Sequence, residues 1–156
     1  MKALWDTAGF VRKLRYQMRF GELSRAPLQL VRFELCGDQA KCVWTARPPD
    51  LWDADLSSGV REHNEALQAL QDAMQVREFL FDAFPQVYSA CLRVYRQSGG
   101  KPRELIITGS VSRDDQAPPG VRSLAMRAKL CGLHFVLDDG SLKALLTQEH
   151  TLKVAT

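Results

Sequence analysis

Long apolar runs are missing from this chain. Charges break every stretch before it reaches the roughly 18 uninterrupted apolar residues that a membrane-spanning helix needs, so no transmembrane segment is expected. The opening Met1-Lys2-Ala3-Leu4-Trp5-Asp6 begins with a basic residue, but Asp6, Arg12 and Lys13 interrupt the apolar core of a signal peptide, which argues against secretion. Cysteine is scarce and scattered. Cys36, Cys42, Cys91 and Cys131 contain no C-x-x-C pair, which speaks against zinc and against a thioredoxin-like motif and makes reduced thiols in a cytoplasmic setting the expectation. Low-complexity tracts and convincing repeats are lacking too.

Catalytic motifs are equally sparse. The histidines, His63, His134 and His150, stand beside no evident nucleophile. A cysteine nucleophile would need an adjacent base and a lowered pKa, and scattered cysteines read first as small buried hydrophobes. Gly109-Ser110-Val111-Ser112 lacks the glycine spacing of a nucleophile elbow. Ser98-Gly99-Gly100-Lys101 is too short for a P-loop and joins two strands instead of opening a helix. No cofactor and no metal site follow from these motifs.

What is present is globular in balance: 156 residues, 46% apolar and 25% charged, with seven prolines, enough for one ordinary core. The net charge of +3 is mild but segregated. Residues 1–25 carry six cations against two acids, 47–82 three against eight, and 83–137 eight against three. Such segregation either steers an anionic partner toward one side or is neutralised within the fold.

Apolar spacing predicts the elements. Leu4, Ala8, Val11, Leu14 and Met18 recur at helical spacing over about 3–20. Two strands follow, Leu28 to Leu35 with Val31, Phe33 and Leu35 on one face, and Ala40 to Ala46. An Asp38-Gln39 turn would set Leu35 opposite Cys42 and Phe33 opposite Trp44. A long helix is expected from Val60 to Phe84, stopped by Pro85 and helped at its start by Asp53 or Asp55. Residues 87–96 and 103–112 read as a second hairpin, with Ala90, Leu92 and Val94 facing one way and Leu105, Ile107 and Val111 sharing a face. A third helix over Val121 to Cys131 should be capped by a left-handed Gly132. A fifth strand, Leu133 to Leu137, precedes a turn at Asp138-Asp139-Gly140 and a short helix or edge strand over Leu142 to Leu146.

The order α-β-β-α-β-β-α-β predicts an α+β fold, an antiparallel or mixed sheet of about five strands with helices packed on one face. One domain over 1–156 is expected, divisible into a helix–hairpin half (1–58) and an αββαβ half (59–146). Within the second half, Ile107-Thr108-Gly109-Ser110-Val111 carries a hydrophobic-x-Gly-x-Val pattern between helix and helix. On it, residues 62–137 resemble the BON family of small αββαβ modules. The resemblance implies binding of phospholipid or another ligand at a cell envelope, not catalysis; the missing export signal departs from the pattern of many such proteins.

Two stretches are candidate sites. The loop Arg47-Pro48-Pro49-Asp50-Leu51-Trp52-Asp53-Ala54-Asp55 brings Arg47, Asp50, Trp52, Asp53 and Asp55 together. Three carboxylates in six residues suit a hard cation, although the glycine and distant glutamate of an EF-hand are missing. The structural alternative is that the prolines end a strand and Trp52 anchors the loop. The back of the first helix aligns Trp5, Arg12, Tyr16 and Arg19, a mixture that can grip phosphates and stack on bases, or pack against a second subunit. The leading expectation is a non-enzymatic binding or protein-interaction module, with a homodimer or protein partner covering Trp5 and Tyr16. The alternatives are a small metal-dependent or loop-centred enzyme at the acidic loop, and nucleic-acid binding through helix 1, which the mild net charge disfavours.

Overall fold

The computed structural model describes residues 8–14, 28–47, 57–97, 102–115 and 117–145. It is an α+β fold on a five-stranded mixed sheet in the order β1-β2-β3-β4-β5. The strands are β1 (Gln29–Cys36), β2 (Gln39–Thr45), β3 (Ser89–Arg96), β4 (Glu104–Ser112) and β5 (Leu133–His134). All neighbours are antiparallel except β2 and β3, which run parallel. Parallel neighbours need a crossover, and the helix α2 (Ser58–Ala83) supplies it. A helical segment over 8–14 (α1) and the short α3 (Leu124–Leu130) complete the helices among the described residues. None of them is long and apolar enough to cross a membrane.

Alternation sets the core face of the sheet. Ala40, Cys42 and Trp44 on β2, and Ala90, Leu92 and Val94 on β3, are buried in register with one another. Burying a large apolar side chain contributes about 1.5–3 kcal/mol, so this face is what fixes the pairing. The helices cover it: Ala66, Leu70, Ala73, Val76 and Leu80 recur at helical spacing along α2 and join the same cluster. On α1 the anchors are Leu14 and, unexpected from the stripe, Phe10, whose ring lies 4.7 Å from Phe33 and 5.3 Å from Phe84. Ala8 is exposed.

Several expectations are corrected. The first hairpin turns at Gly37-Asp38, one residue earlier than expected, with Gly37 at φ +62°, a conformation glycine adopts without strain. Leu35 therefore pairs with Ala40 and Phe33 with Cys42. A bulge between Leu30 and Arg32 then swings Val31 outward, 49% exposed, and gives its place on the core face to Leu30 opposite Trp44. The same device acts between Val94 and Tyr95: Leu105 pairs with Tyr95, and Ile106 joins Ile107 in the core. The N-cap of α2 is Ser57, whose hydroxyl accepts from the Val60 N–H at 3.4 Å; it is neither Asp53 nor Asp55. α3 begins at Leu124, three residues later than expected, capped by Ser123.

β5 has only two residues because the chain leaves the sheet at Phe135. It forms a separate hairpin, β6 (Leu137–Asp138) with β7 (Ser141–Leu142), around Asp139 and Gly140, both at positive φ as a type I′ turn demands. Gly132 takes the left-handed conformation expected of it, φ +103°. It has a second task. β5 crosses β4 so closely that a Cβ on Gly109 would lie 2.3 Å from the Gly132 carbonyl oxygen, and one on Gly132 would lie 2.6 Å from that of Ser110. Packing accounts for the glycine of the Ile107–Val111 pattern.

Candidate functional site

The first polar centre lies inside the fold. Arg47, at the end of β2, places its Nε 2.9 Å from Asp72 Oδ2 of α2, and both side chains are 1% exposed. Gln68, one turn earlier, donates to the other carboxylate oxygen at 2.9 Å. Burial pushes the Asp72 carboxyl up to about 6, against the opposing pull of Arg47 and Gln68, and burial lowers the pKa of Arg47. The arginine of the expected loop site is thus engaged with α2. Asp50, Trp52, Asp53 and Asp55 lie outside the described residues, as do Trp5, Tyr16 and Arg19. Arg12 is described and exposed on α1.

A second polar centre is open to solvent. The C-terminal half of α2 turns Met74, Arg77, Glu78 and Phe81 toward a cleft of about 470 Å³, closed on the other side by Arg113, Arg127 and Cys131. Two guanidinium groups lie over the Phe81 ring, that of Arg77 at 5.3 Å and that of Arg113 at 4.9 Å from its centroid. Such contacts contribute roughly 0.5–2 kcal/mol each, depending on how dry they are.

The partners of these arginines are carbonyls. Arg113 donates from Nε and Nη2 to the Val87 carbonyl at 3.0 and 2.7 Å, and from Nη2 to that of Phe84 at 2.8 Å. Phe84 is the C-cap of α2, where carbonyls lose their helical partners and the helix dipole favours a cation. Arg77 donates from Nη2 to the Ser112 carbonyl at 2.9 Å and to that of Asp115. It is 7% exposed, and its Nε is buried without a hydrogen-bond partner. Arg127 stands exposed in the last turn of α3. Among the described residues no carboxylate forms an ion pair with Arg77, Arg113 or Arg127; Glu78 and Asp82 line the cleft without meeting them.

Carbonyl dipoles satisfy N–H groups without cancelling a full charge, so Arg77, Arg113 and Arg127 against Glu78 and Asp82 leave the cleft one positive charge in excess, beside an apolar wall of Phe81 and Met74. It can hold an anion. Cys131 lines it and is buried, while His63 lies elsewhere, its Nδ1 3.3 Å from the Gly140 carbonyl. Among the described residues no group of three His, Cys, Asp or Glu side chains could hold a metal ion.

Sequence reasoning missed this cleft, although one signal was legible. The α2 stripe Leu70, Met74, Arg77, Phe81 and Phe84 contains a cation at core spacing, which must find partners other than water. No protein-family model, curated protein or solved structure matches the chain, so the functional reading rests on this geometry.

Proposed function

We propose that this chain is a non-enzymatic binding module whose ligand is a small organic anion, a carboxylate or phosphate on an apolar body, held in the cleft between α2 and α3. The observation that carries the reading is the pair of guanidinium groups over the Phe81 ring, tied to backbone carbonyls and in an ion pair with no described carboxylate. Carbonyl ties preorganise both groups, so an arriving anion would order little beyond the exposed Arg127. The apolar body would rest on Met74 and Phe81. The order α2-β3-β4-α3-β5 is the one the BON resemblance implies, and it supports binding ahead of catalysis. The acidic-loop enzyme and the helix 1 nucleic-acid reading depend on residues outside the described ones, which is why the cleft is preferred.

The test is a thermal-shift titration with inorganic phosphate, benzoate and phenyl phosphate, and with benzylamine as a cationic control. An anion at ten times its Kd stabilises by about 1.4 kcal/mol, which raises Tm by roughly 3–6 °C in a domain of this size. Arg127→Ala should weaken the shift severalfold without lowering the Tm of the free protein. Equal shifts with benzylamine, or an undiminished phenyl phosphate shift in Arg127→Ala, would remove the reading.

A further inference from the structure

The α2–α3 cleft also carries charge of the other sign. Two neighbouring rows of α2 line it: Arg77 and Phe81, both buried, and Met74, Glu78 and Asp82, each one turn after the last and increasingly open to solvent. Glu78 and Asp82 are exposed, as is Arg127 on α3. Among the described residues neither carboxylate meets a cation in an ion pair. The fold thus brings opposite charges to one cleft and holds them apart.

Neither carboxylate serves its helix. Asp82 lies in the last turn of α2, which ends at Ala83 and contains no basic residue, so the negative end of the helix dipole opposes it. Glu78 and Asp82, four residues apart, also repel each other. On the cationic side Arg77 is 7% exposed, and its Nε is buried without a hydrogen-bond partner. Both signs of charge are therefore left unsatisfied by the protein itself.

We infer, building on the anion-binding reading of this cleft, that its ligand is amphoteric: an amino acid with an apolar side chain. Its carboxylate would be drawn to the arginines and its ammonium to Glu78 and Asp82, with the side chain resting on Met74 and Phe81. A plain anion gains from Arg77, Arg113 and Arg127 but is repelled by two carboxylates lining the same cleft, whereas a zwitterion satisfies both. An ammonium group has three donors and no acceptor, which suits a pair of carboxylates. Arg77 directly precedes Glu78, and neighbouring Cα atoms are about 3.8 Å apart, a short spacing that suits two charges borne on one carbon. The volume, about 470 Å³, belongs to a small-molecule site and not to a peptide groove.

Isothermal titration calorimetry with three ligands sharing one body, L-phenylalanine, 3-phenylpropionate and 2-phenylethylamine, tests the inference. Phenylalanine should bind about fivefold or more tighter than phenylpropionate, the gain expected of two exposed ion pairs, and phenylethylamine should bind weakest. The double variant Glu78→Gln/Asp82→Asn should move the first two in opposite directions, weakening phenylalanine about fivefold or more and tightening phenylpropionate about twofold or more. Damage to the fold would weaken both, so the opposite signs identify a contact. Arg127→Ala should weaken both severalfold. Phenylpropionate bound as tightly as phenylalanine, no binding of phenylalanine, or a double variant that shifts both ligands the same way would each overturn the inference. If phenyl phosphate still stabilises the parent in that event, the anion site stands and only the amphoteric ligand is lost; if no anion binds, both fall.

Discussion

Replacing Arg47 by methionine breaks the buried ion pair. The substitution keeps much of the stem's volume and removes the charge, leaving Asp72 as a carboxylate whose side chain is 1% exposed and whose remaining partner is Gln68. Burial decides the magnitude: an exposed pair would be worth 0–1 kcal/mol, whereas stripping the partner from a buried one costs about 3–5 kcal/mol. Against a total stability of roughly 5–15 kcal/mol for a domain, that loss is easily read from urea unfolding at neutral pH.

The pH dependence gives the reasoning its sharpest check. Asp72 is already raised to about 6 in the folded protein, from 3.8 for an ordinary aspartate. Its favourable contribution is therefore complete below about pH 4 and is lost as pH rises through 6. Without Arg47 the folded pKa climbs further, so the variant goes on losing stability above pH 6 where the parent no longer does. At about 1.4 kcal/mol per pH unit, the penalty of Arg47→Met should be smaller by up to ~2 kcal/mol at pH 5 than at pH 7.5. Adding Asp72→Asn should restore much of the loss and abolish this pH dependence. A penalty below about 1 kcal/mol at neutral pH, or one that is the same at both pH values, would refute the account of the pair.

Two further outcomes follow from packing. Gly109→Ala should cost about 2 kcal/mol or more in urea unfolding, because its Cβ would meet backbone atoms that cannot move independently, the Gly132 oxygen at 2.3 Å and the Leu133 Cα at 2.9 Å. Gly59→Ala, in the first turn of α2 with nothing within 4 Å, should instead stabilise by about 0.5–1 kcal/mol. In a thiol titration of the native protein, exposed Cys36 should react with Ellman's reagent first. Cys42, whose thiol burial pushes up to about 12, should stay silent until denaturant is added.

The legible part of the fold was the part written as periodicity. Ala90, Leu92 and Val94 alternate in the sequence and are buried together in the sheet, and Pro85 ends α2 within two residues of where its pattern stops. Single-residue insertions were not legible, because a bulge reverses the phase of a two-residue repeat without changing its composition; Val31 and Leu105 were both assigned to the wrong face for that reason. Caps fell to local competition among polar residues, and Ser57, directly before the first turn, prevailed over two aspartates farther away. The cleft was hidden by distance along the chain. Arg113 reaches the end of α2 from 29 residues away, and nothing around Arg113 in sequence hints at that carbonyl.

Segregation of charge along the chain then takes on a spatial meaning. The pairs Arg47–Asp72 and Arg96–Glu104 each join residues of one segment, acidic and basic respectively, so they leave the imbalance between segments as it was. Attraction between the segments is felt at Glu65, where it opposes a rise in pKa that burial causes and does not reverse it. Much of the basic segment's charge is directed instead at groups carrying no full negative charge: Arg113 at carbonyls, Arg103 at a ring. A guanidinium satisfied in that way is fixed in place and still positive. Cations held by carbonyls are what an anion site needs, and the fold gathers Arg77 and Arg113 in this way at the α2–α3 cleft.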